Sequence, residues 1–271
     1  AEGGQRRGRL RGGEPGAGTS GAQVLRALAR TRRVIACDQQ GPGRTADAAR
    51  PFTFEGWADD AAGLLRHLKV ARADLMGFSN GGSIAMQVAI RHPELVRRLV
   101  VVSAMVRRDG LQPGFWEGMQ KARLEDMPPQ LAEAYRRTSP HPDRLPSFFR
   151  KSVDRMLAFR DWPEALVRSI AGPTLVVIGD ADVVRPEHAV QMAHLLPRAR
   201  LAAQQRAPLG QHFLGLEVVG VELQRARQLL LRLLELEAFL QLACVLQVAL
   251  DEEGLLLLLQ AQRVGQLLAV L

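Results

Sequence analysis

The sequence has few of the residues that mark disulfide-rich, metal-binding or membrane-spanning proteins. Its 271 residues include two cysteines, Cys37 and Cys244, which are too few for a disulfide framework and lack metal-ligand spacing. The first residues hold no apolar signal core. The leucine-rich end is interrupted by charged residues such as Asp251 and Arg263, so no charge-free run of about 20 residues remains for a membrane span. We therefore expect a cytoplasmic protein without a membrane span, metal or other cofactor.

The net charge of +8 is concentrated near the beginning of the chain. Residues 1–33 contribute +6, because eight arginines there are opposed only by Glu2 and Glu14. The rest of the chain is close to balanced and has no basic stripe interleaved with aromatic residues, the pattern that follows a phosphate backbone. We interpret the basic stretch as a solvated, arginine-rich end and expect no nucleic-acid partner.

Short apolar runs alternate with amphipathic stretches in the middle of the chain. Residues 33–38, 73–78, 99–103 and 174–178 are expected strands, and helices are expected at 53–68, 81–91 and 187–196. Apolar strands that alternate with helices indicate an α/β fold, a mostly parallel sheet with helices on both faces.

The composition changes along the chain and suggests domain boundaries. Residues 1–22 form an atypical Gly/Arg-rich segment, and residues 23–106 and 169–220 form the α/β core. Between them, residues 107–168 contain seven of the 13 aromatic residues and are divided by prolines, which predicts an inserted helical cap over a site. Residues 221–271 are Leu-rich with Gln and Glu interspersed, which favours a tail of two or three amphipathic helices.

The run Gly77-Phe78-Ser79-Asn80-Gly81-Gly82 fits the G-x-S-x-G pattern between an expected strand and an expected helix. The glycines on either side of Ser79 allow strand and helix to approach closely through a sharp turn. The turn presents the Ser79 hydroxyl at the edge of the sheet, and the helix N-terminus directs N–H groups toward negative charge that develops on a substrate oxygen. Ser79 is the expected nucleophile, and the backbone N–H of Asn80 is an expected oxyanion donor.

The order of motifs around Ser79 resembles the α/β-hydrolase superfamily. Asp38-Gln39-Gln40-Gly41-Pro42-Gly43-Arg44-Thr45 is similar to the family's D-x-x-G-x-G-x-S loop, and Pro173 to Asp182 looks like its acid strand and turn. The resemblance covers about residues 24–201, and it implies an α/β-hydrolase fold with an inserted cap and a Ser-His-Asp triad.

The resemblance also implies an acid and a base for the triad. In a G-D-x-D turn the second aspartate usually serves, so Asp182 is the expected acid, and the competing Asp180 is expected to cap the turn. The family's chain order is Ser, acid, His. His212 fulfils that order with a possible strand in between, whereas the other five histidines do not. His212 is therefore the expected base.

Two further parts of the site are less regular. The family's second oxyanion donor comes from a His-Gly loop near the N-terminus; here Arg11 stands where the histidine would be, and Gly13 is the expected donor. The aromatic residues of the cap and elbow predict an apolar pocket for a small ester-like substrate. The expected pocket residues are Phe78, Phe115, Trp116, Phe148 and Phe149.

The function expected from these features is hydrolysis of a carboxylic ester, or of a related lactone or thioester, through an acyl-enzyme. Perhydrolysis, acyl transfer and carbon–carbon bond hydrolysis use the same triad and stay open. Two alternatives from other classes are a non-catalytic α/β-hydrolase-fold protein that binds a small molecule or protein partner, and a protein that interacts through its Leu-rich tail. The sequence does not fix the oligomeric state.

Overall fold

The computed structural model describes residues 28–204, 216–218, 244–251 and 254–261. Within this part of the chain, eight strands form one sheet in the order β1-β7-β8-β2-β3-β4-β5-β6. The strands are β1 (Arg33–Asp38), β2 (Ala73–Phe78), β3 (Val96–Val102), β4 (Thr174–Gly179), β5 (Ala199–Gln204), β6 (Leu216–Val218), β7 (Cys244–Asp251) and β8 (Gly254–Ala261).

Seven α-helices accompany these strands in the described residues. They are α1 (Phe54–His67), α2 (Asn80–Arg91), α3 (Phe115–Lys121), α4 (Pro129–Thr138), α5 (Leu145–Leu157), α6 (Glu164–Arg168) and α7 (Pro186–Leu195), with short 3-10 turns at Pro93–Leu95, Arg108–Gly110, Leu124–Asp126 and Pro142–Arg144. None of the helices described combines the length and the apolar character that a bilayer crossing requires.

Four neighbouring strands form the parallel part of the sheet that carries the candidate site. β2 pairs with β3, β3 with β4 and β4 with β5, all in parallel. Phe78 lies opposite Val102, Val102 opposite Val177, and Gly179 opposite Gln204. The carboxyl ends of these strands therefore meet at one edge, where parallel α/β sheets place their binding sites.

The expected helix after residue 53 is present because its sequence supplies both a cap and an apolar face. The Thr53 hydroxyl accepts a hydrogen bond from the Gly56 N–H at 2.9 Å, which satisfies one free donor of the first turn. Trp57, Ala61 and Leu65 follow at four-residue spacing, and all three are buried. α1 packs against α2, and α2 packs against β2 and β3.

A buried ion pair joins two of these strands at their amino-terminal ends, opposite the candidate site. The Arg97 guanidinium donates to both carboxylate oxygens of Asp74, at 2.7 and 2.6 Å. The Asp74 side chain is only 8% exposed, so this pair is shielded from water. Because the geometry is bidentate and largely buried, it ties the beginnings of β2 and β3 together.

The interval between β3 and β4 is helical, as the sequence predicts, and its longest helix is bonded to the core. On α5, the Lys151 ammonium donates to Asp47 Oδ1 and Oδ2 at 2.9 and 2.7 Å, to the Ala48 carbonyl at 2.9 Å and to the Arg50 carbonyl at 3.0 Å. Gln40 donates to the same Asp47 carboxylate at 2.8 Å. These contacts join the cap to the loop that follows β1.

The prediction of helices throughout residues 221–271 is wrong for two segments. Residues 244–251 and 254–261 are the strands β7 and β8, which pair with each other and lie between β1 and β2. β8 runs parallel to β1, and β7 runs antiparallel to β2. Pairing with existing strands supplies backbone hydrogen bonds that override the local helical preference of a Leu-rich sequence.

Candidate active site

Ser79 occupies a strained turn between β2 and α2. Its φ of 52° and ψ of −119° lie in a region that side-chain-bearing residues rarely adopt. The turn is held from two sides, because the Ser79 N–H donates to the Val102 carbonyl at 2.8 Å and the Ser79 carbonyl accepts from the Gly82 N–H at 2.9 Å. Strain of this kind persists where the surrounding structure determines the backbone, and it is common at active sites.

Gly77 explains how the strand and the helix come so close at this turn. A Cβ atom at position 77 would lie 2.1 Å from the Gly81 carbonyl oxygen and 2.5 Å from the Gly82 nitrogen. Both contacts are with backbone, which has no rotamer to change. The expected G-x-S-x-G turn is therefore present in the structure, with glycine required by the close approach.

The first turn of α2 points its N–H groups at the same edge of the sheet. N–H groups in the first turn of a helix have no acceptor within the helix, and the dipole there favours negative charge. Asn80 is the first residue of this helix and is buried. Its backbone N–H belongs to this first turn and stays the expected oxyanion donor.

Ser79 lines an open cleft between the sheet edge and the cap. The cleft holds about 320 Å³ of empty space, including the part that is open to solvent. Its walls combine serine hydroxyls with apolar side chains: Ser79, Asn80, Ser83, Ser103, Ala104, Met105, Leu111, Phe115, Met156, Val183 and Val184. The described residues contain no group of three or more His, Cys, Asp or Glu side chains suited to a metal ion. The cleft suits a small, largely apolar ligand.

Asp182 lies in the turn after β4, directly before the cleft residues Val183 and Val184. Its Oδ1 accepts from the Val184 N–H at 3.0 Å, and its Oδ2 accepts from the Ser103 hydroxyl. Burial raises the pKa of the Asp182 carboxyl above its usual range, and the hydrogen bond from Ser103 acts in the opposite direction. Asp180, the competing candidate, is exposed in the same turn.

Ser103 is the side chain of the candidate site that sequence reasoning missed. It follows β3 directly, is buried with 6% exposure, and has a φ of 52°. It lines the cleft together with Ser79 and bonds to Asp182, so it connects the expected nucleophile with the expected acid. The only sequence signal is its position at the end of a strand, next to the strand that carries Ser79.

A buried arginine from the cap supports the Asn80 side chain. Arg155 on α5 donates from Nη1 to Asn80 Oδ1 at 2.9 Å. Its guanidinium carbon lies 4.6 Å from the Phe54 ring centroid and 5.0 Å from that of Trp57. A cation over two aromatic faces is stabilised by their quadrupoles, so this buried charge sits in an environment that tolerates it.

The expected pocket aromatics divide into one that lines the cleft and four that do not. Phe115 lines the cleft. Trp116 packs edge-on against Phe115, with ring centroids 5.0 Å apart, and lies under the Arg108 guanidinium. Phe148 stacks on Tyr135 at 4.7 Å.

Phe149 is buried in the main hydrophobic core, and Phe78 is half-buried at the end of β2. Among the described residues, the cap therefore uses most of its aromatic side chains to pack its own helices and to join the core.

Two expected site residues, Gly13 and His212, lie outside the described residues. The chain on both sides of His212 is nevertheless described. Gln204 ends β5, Leu216 begins β6, and these two residues pair with each other. Gln204 also pairs with Gly179 of β4, three residues before Asp182. Gln204 and Leu216, the described residues on either side of position 212, are therefore at the edge where Ser79 and Asp182 lie.

Comparison with known proteins agrees with this architecture. The chain is 36% identical over 203 residues to 2-hydroxymuconate semialdehyde hydrolase from Pseudomonas sp. (strain CF600), a match that covers 66% of this chain and 70% of the relative. It is 31% identical over 214 residues to the enzyme of the same name from Pseudomonas putida, which covers 68% of this chain and 72% of the relative.

Among solved structures, a candidate lipase from Acinetobacter baumannii AYE superposes with a TM-score of 0.50 at 19% identity. The superposition covers 62% of this chain and 65% of the lipase, and it bears on the fold alone. The sequence model of the alpha/beta hydrolase fold matches residues 12–217, a range that includes positions 13 and 212. The parallel sheet, the elbow at Ser79 and this match together make the chain a member of the α/β-hydrolase fold family.

Proposed function

We propose that the protein is a serine hydrolase that cleaves a small carboxylic ester, or a related lactone or thioester. Ser79 attacks the carbonyl carbon, His212 accepts the hydroxyl proton and later transfers it to the leaving group, and Asp182 orients the imidazole. The backbone N–H groups of Asn80 and Gly13 hold the developing oxyanion. Water then releases the acyl group from Ser79.

The observation that carries the proposal is the backbone of Ser79. A serine at φ 52°, held between a strand and a helix and facing a cleft, has its hydroxyl displayed at a helix N-terminus. Strain of this kind costs on the order of 1–3 kcal/mol and is concentrated at functional sites. The apolar side chains in the walls of the cleft favour a small, largely apolar acyl group.

The positions of the acid and of the chain around His212 support the rest of the triad. Asp182 is joined to the cleft through Ser103, and the described residues on either side of position 212, Gln204 and Leu216, pair with each other. An imidazole between Asp182 and Ser79 would complete the proton transfer that the triad requires.

A fluorophosphonate probe tests the nucleophile directly, because it labels an activated serine covalently. We expect the wild-type protein to be labelled and the Ser79→Ala variant to be unlabelled. Ser152→Ala is a matched control: Ser152 is also buried, but its hydroxyl donates at 2.8 Å to the Phe148 carbonyl of its own helix. The control should keep full labelling, which excludes a general effect of removing a buried serine hydroxyl.

Each outcome of the labelling experiment has a distinct meaning. Labelling that persists in Ser79→Ala would assign the nucleophile to another residue and contradict the proposal. A wild-type protein that folds yet resists the probe would favour a non-catalytic binding protein of the same fold. If Ser79 is labelled, p-nitrophenyl esters of graded acyl length then define the substrate, and we expect activity to decrease as the acyl chain outgrows the cleft.

A second candidate function is hydrolysis of a carbon–carbon bond in an unsaturated oxo acid. It is favoured by the 36% identity to 2-hydroxymuconate semialdehyde hydrolase, together with the buried guanidinium of Arg155 behind Asn80. A muconate-type substrate carries a carboxylate, which a nearby buried cation would stabilise. The decay of the dienol absorbance of 2-hydroxymuconate semialdehyde measures this activity. If the turnover of this substrate exceeds that of the best ester and disappears in Ser79→Ala, carbon–carbon bond hydrolysis is favoured over ester hydrolysis.

A further inference from the structure

The two residues with the most unusual backbone at the sheet edge are neighbours across β2 and β3. Ser79 and Ser103 both have a φ of 52°, and each directly follows its strand. The Ser79 N–H donates to the Val102 carbonyl at 2.8 Å, and the Ser103 N–H donates to the Val177 carbonyl at 3.0 Å. The two hydroxyl-bearing side chains therefore lie side by side at the cleft, each held by the next strand.

The Ser103 hydroxyl is committed to Asp182. It donates to Oδ2, whereas Oδ1 receives the Val184 N–H at 3.0 Å. An ionised carboxylate accepts at about four lone-pair positions, so both oxygens keep a position for a further donor. Donors from two elements, the Ser103 hydroxyl at the end of β3 and backbone N–H groups at the turn after β4, fix the rotation of the carboxylate.

The acid turn is also held by the segment that enters the cap. Leu111 forms a bridge with Val184, and Gln112 donates from its backbone to the Val183 carbonyl at 2.9 Å and from its side chain to the Asp182 carbonyl at 3.1 Å. These bonds position the backbone of residue 182 without touching its carboxylate. The carboxylate itself therefore depends on Ser103 and on the local backbone.

The other charged and titratable side chains around this turn are exposed or bonded to other groups. Asp180 is exposed, and Arg185 bonds to Glu187 and to the Asp109 carbonyl. His188 is buried with its Nε2 accepting from the Val106 N–H at 3.1 Å. Among the described residues, a hydroxyl therefore takes the place at Asp182 Oδ2 that a cation would take in an ion pair.

We propose that Ser103 is a positioning residue for the hydrolytic reaction, which holds the Asp182 carboxylate in the rotation and charge state that orient the base. The inference rests on the proposed Ser79–His212–Asp182 mechanism. Ser103 acts through Asp182: burial of that carboxyl raises its pKa, the hydroxyl hydrogen bond opposes the rise, and an ionised acid stabilises the imidazolium formed during turnover.

Three substitutions at this position separate the hydroxyl from the backbone strain. Ser103→Ala removes the hydroxyl and keeps a side chain at positive φ. Ser103→Gly removes the hydroxyl and adopts positive φ without strain, so it keeps the test valid if the alanine variant folds poorly. Ser103→Asn tolerates positive φ and supplies an amide donor to the carboxylate, so it is the conservative rescue.

The measurements are kcat, KM and the pH profile of kcat/KM on the best p-nitrophenyl ester. We expect Ser103→Ala and Ser103→Gly to lower kcat about 10- to 100-fold, the effect of losing a hydrogen bond to a charged group, with KM changed less than about twofold. The acid limb of the pH profile should move to higher pH in both. Without its donor the Asp182 carboxylate is a more basic anion, so its own pKa rises and, while ionised, it binds the proton of the imidazolium more strongly. Ser103→Asn should restore most of kcat and return the acid limb to its wild-type pH.

The outcomes distinguish this inference from the proposed function. If fluorophosphonate labels Ser79 in the wild-type protein and the alanine and glycine variants keep the wild-type kcat and acid limb, the role of Ser103 is refuted while the serine hydrolase stands. A loss of kcat with an unmoved acid limb refutes it too, since that pattern reflects only a structural defect. If the wild-type protein shows neither labelling nor turnover, both proposals fall together.

Discussion

The close approach of β2 and α2 at Gly77 can be tested by adding a single methyl group. In Gly77→Ala the new Cβ would lie 2.1 Å from the Gly81 oxygen, 2.2 Å from the Gly81 carbonyl carbon and 2.5 Å from the Gly82 nitrogen. Unbonded carbon atoms prefer separations of about 3.5–4.0 Å, so the strand and the helix must separate by more than about 1 Å. All three contacts are with backbone, and no side-chain rotation relieves them.

We expect Gly77→Ala to lower the free energy of unfolding by about 3 kcal/mol, the upper part of the range for overpacked interiors. Labelling of Ser79 should also fall, even where the variant is folded, because the same displacement moves Ser79 away from the helix N–H groups. Urea denaturation followed by circular dichroism measures the first effect, and fluorophosphonate labelling under native conditions measures the second.

Gly63 provides a matched control for this substitution. It lies in α1, and a Cβ there would have no atom within 4 Å. Gly63→Ala should therefore raise the free energy of unfolding by about 0.5–1 kcal/mol, because alanine is the better helix former. If Gly77→Ala were as stable and as reactive as Gly63→Ala, the tight elbow described for Ser79 would be incorrect.

Three further predictions concern the regions around the site. Asp74→Ala leaves the Arg97 guanidinium without its bidentate partner, and we expect it to lower the free energy of unfolding by about 3 kcal/mol; a loss below about 1 kcal/mol in urea would show that the pair is not effectively buried. Lys151→Met keeps the aliphatic stem but leaves the Asp47 carboxylate without its cation. It should cost about 1–3 kcal/mol and speed limited proteolysis in the cap, and unchanged proteolysis would contradict a bonded cap. Burial lowers the pKa of His188, so the unfolded chain binds more protons below about pH 6.5 and stability should fall as pH drops through that value; His188→Gln should flatten this dependence relative to wild type, and an equal slope would exclude His188 as its source.

The nucleophile turn is the part of the site that the sequence predicts best, and the reason is that its determinants are local. Gly77, Ser79 and Gly81 act within five residues, and the turn they form requires no distant partner to be recognised. Asp182 is expected from the resemblance to the family, whose acid follows a short turn after an apolar strand. In both cases the structure has the expected turn after the expected strand.

Ser103 could not be identified from sequence, because its role depends on register. A serine at the end of a strand is common, and nothing in the residues around it signals a partner. Its importance appears only when β3 lies between β2 and β4, since this order brings residues 79, 103 and 182 to one edge. Strand order is a property of the whole sheet, and periodicity along the chain does not encode it.

The cap aromatics and the Leu-rich end show two other limits. Composition predicted that the cap would be helical and rich in aromatic residues, but the direction each ring faces depends on how the helices pack. Phe115 faces the cleft, whereas Phe148 packs on Tyr135. In the Leu-rich end, leucine favours helices locally, but pairing with β1 and β2 decides for strands at residues 244–251 and 254–261.

The geometry of the candidate site is set by a chain of backbone contacts that crosses the sheet. Ser79 is held by Val102 of β3, and Ser103 is held by Val177 of β4, so each site residue depends on the strand next to its own. A displacement of β4 would therefore move Ser103 and Asp182 together and would reach Ser79 only through β3. Perturbations on the β4 side should consequently impair orientation of the base before they disturb the nucleophile. Perturbations at β2, such as the methyl group at position 77, should do the reverse.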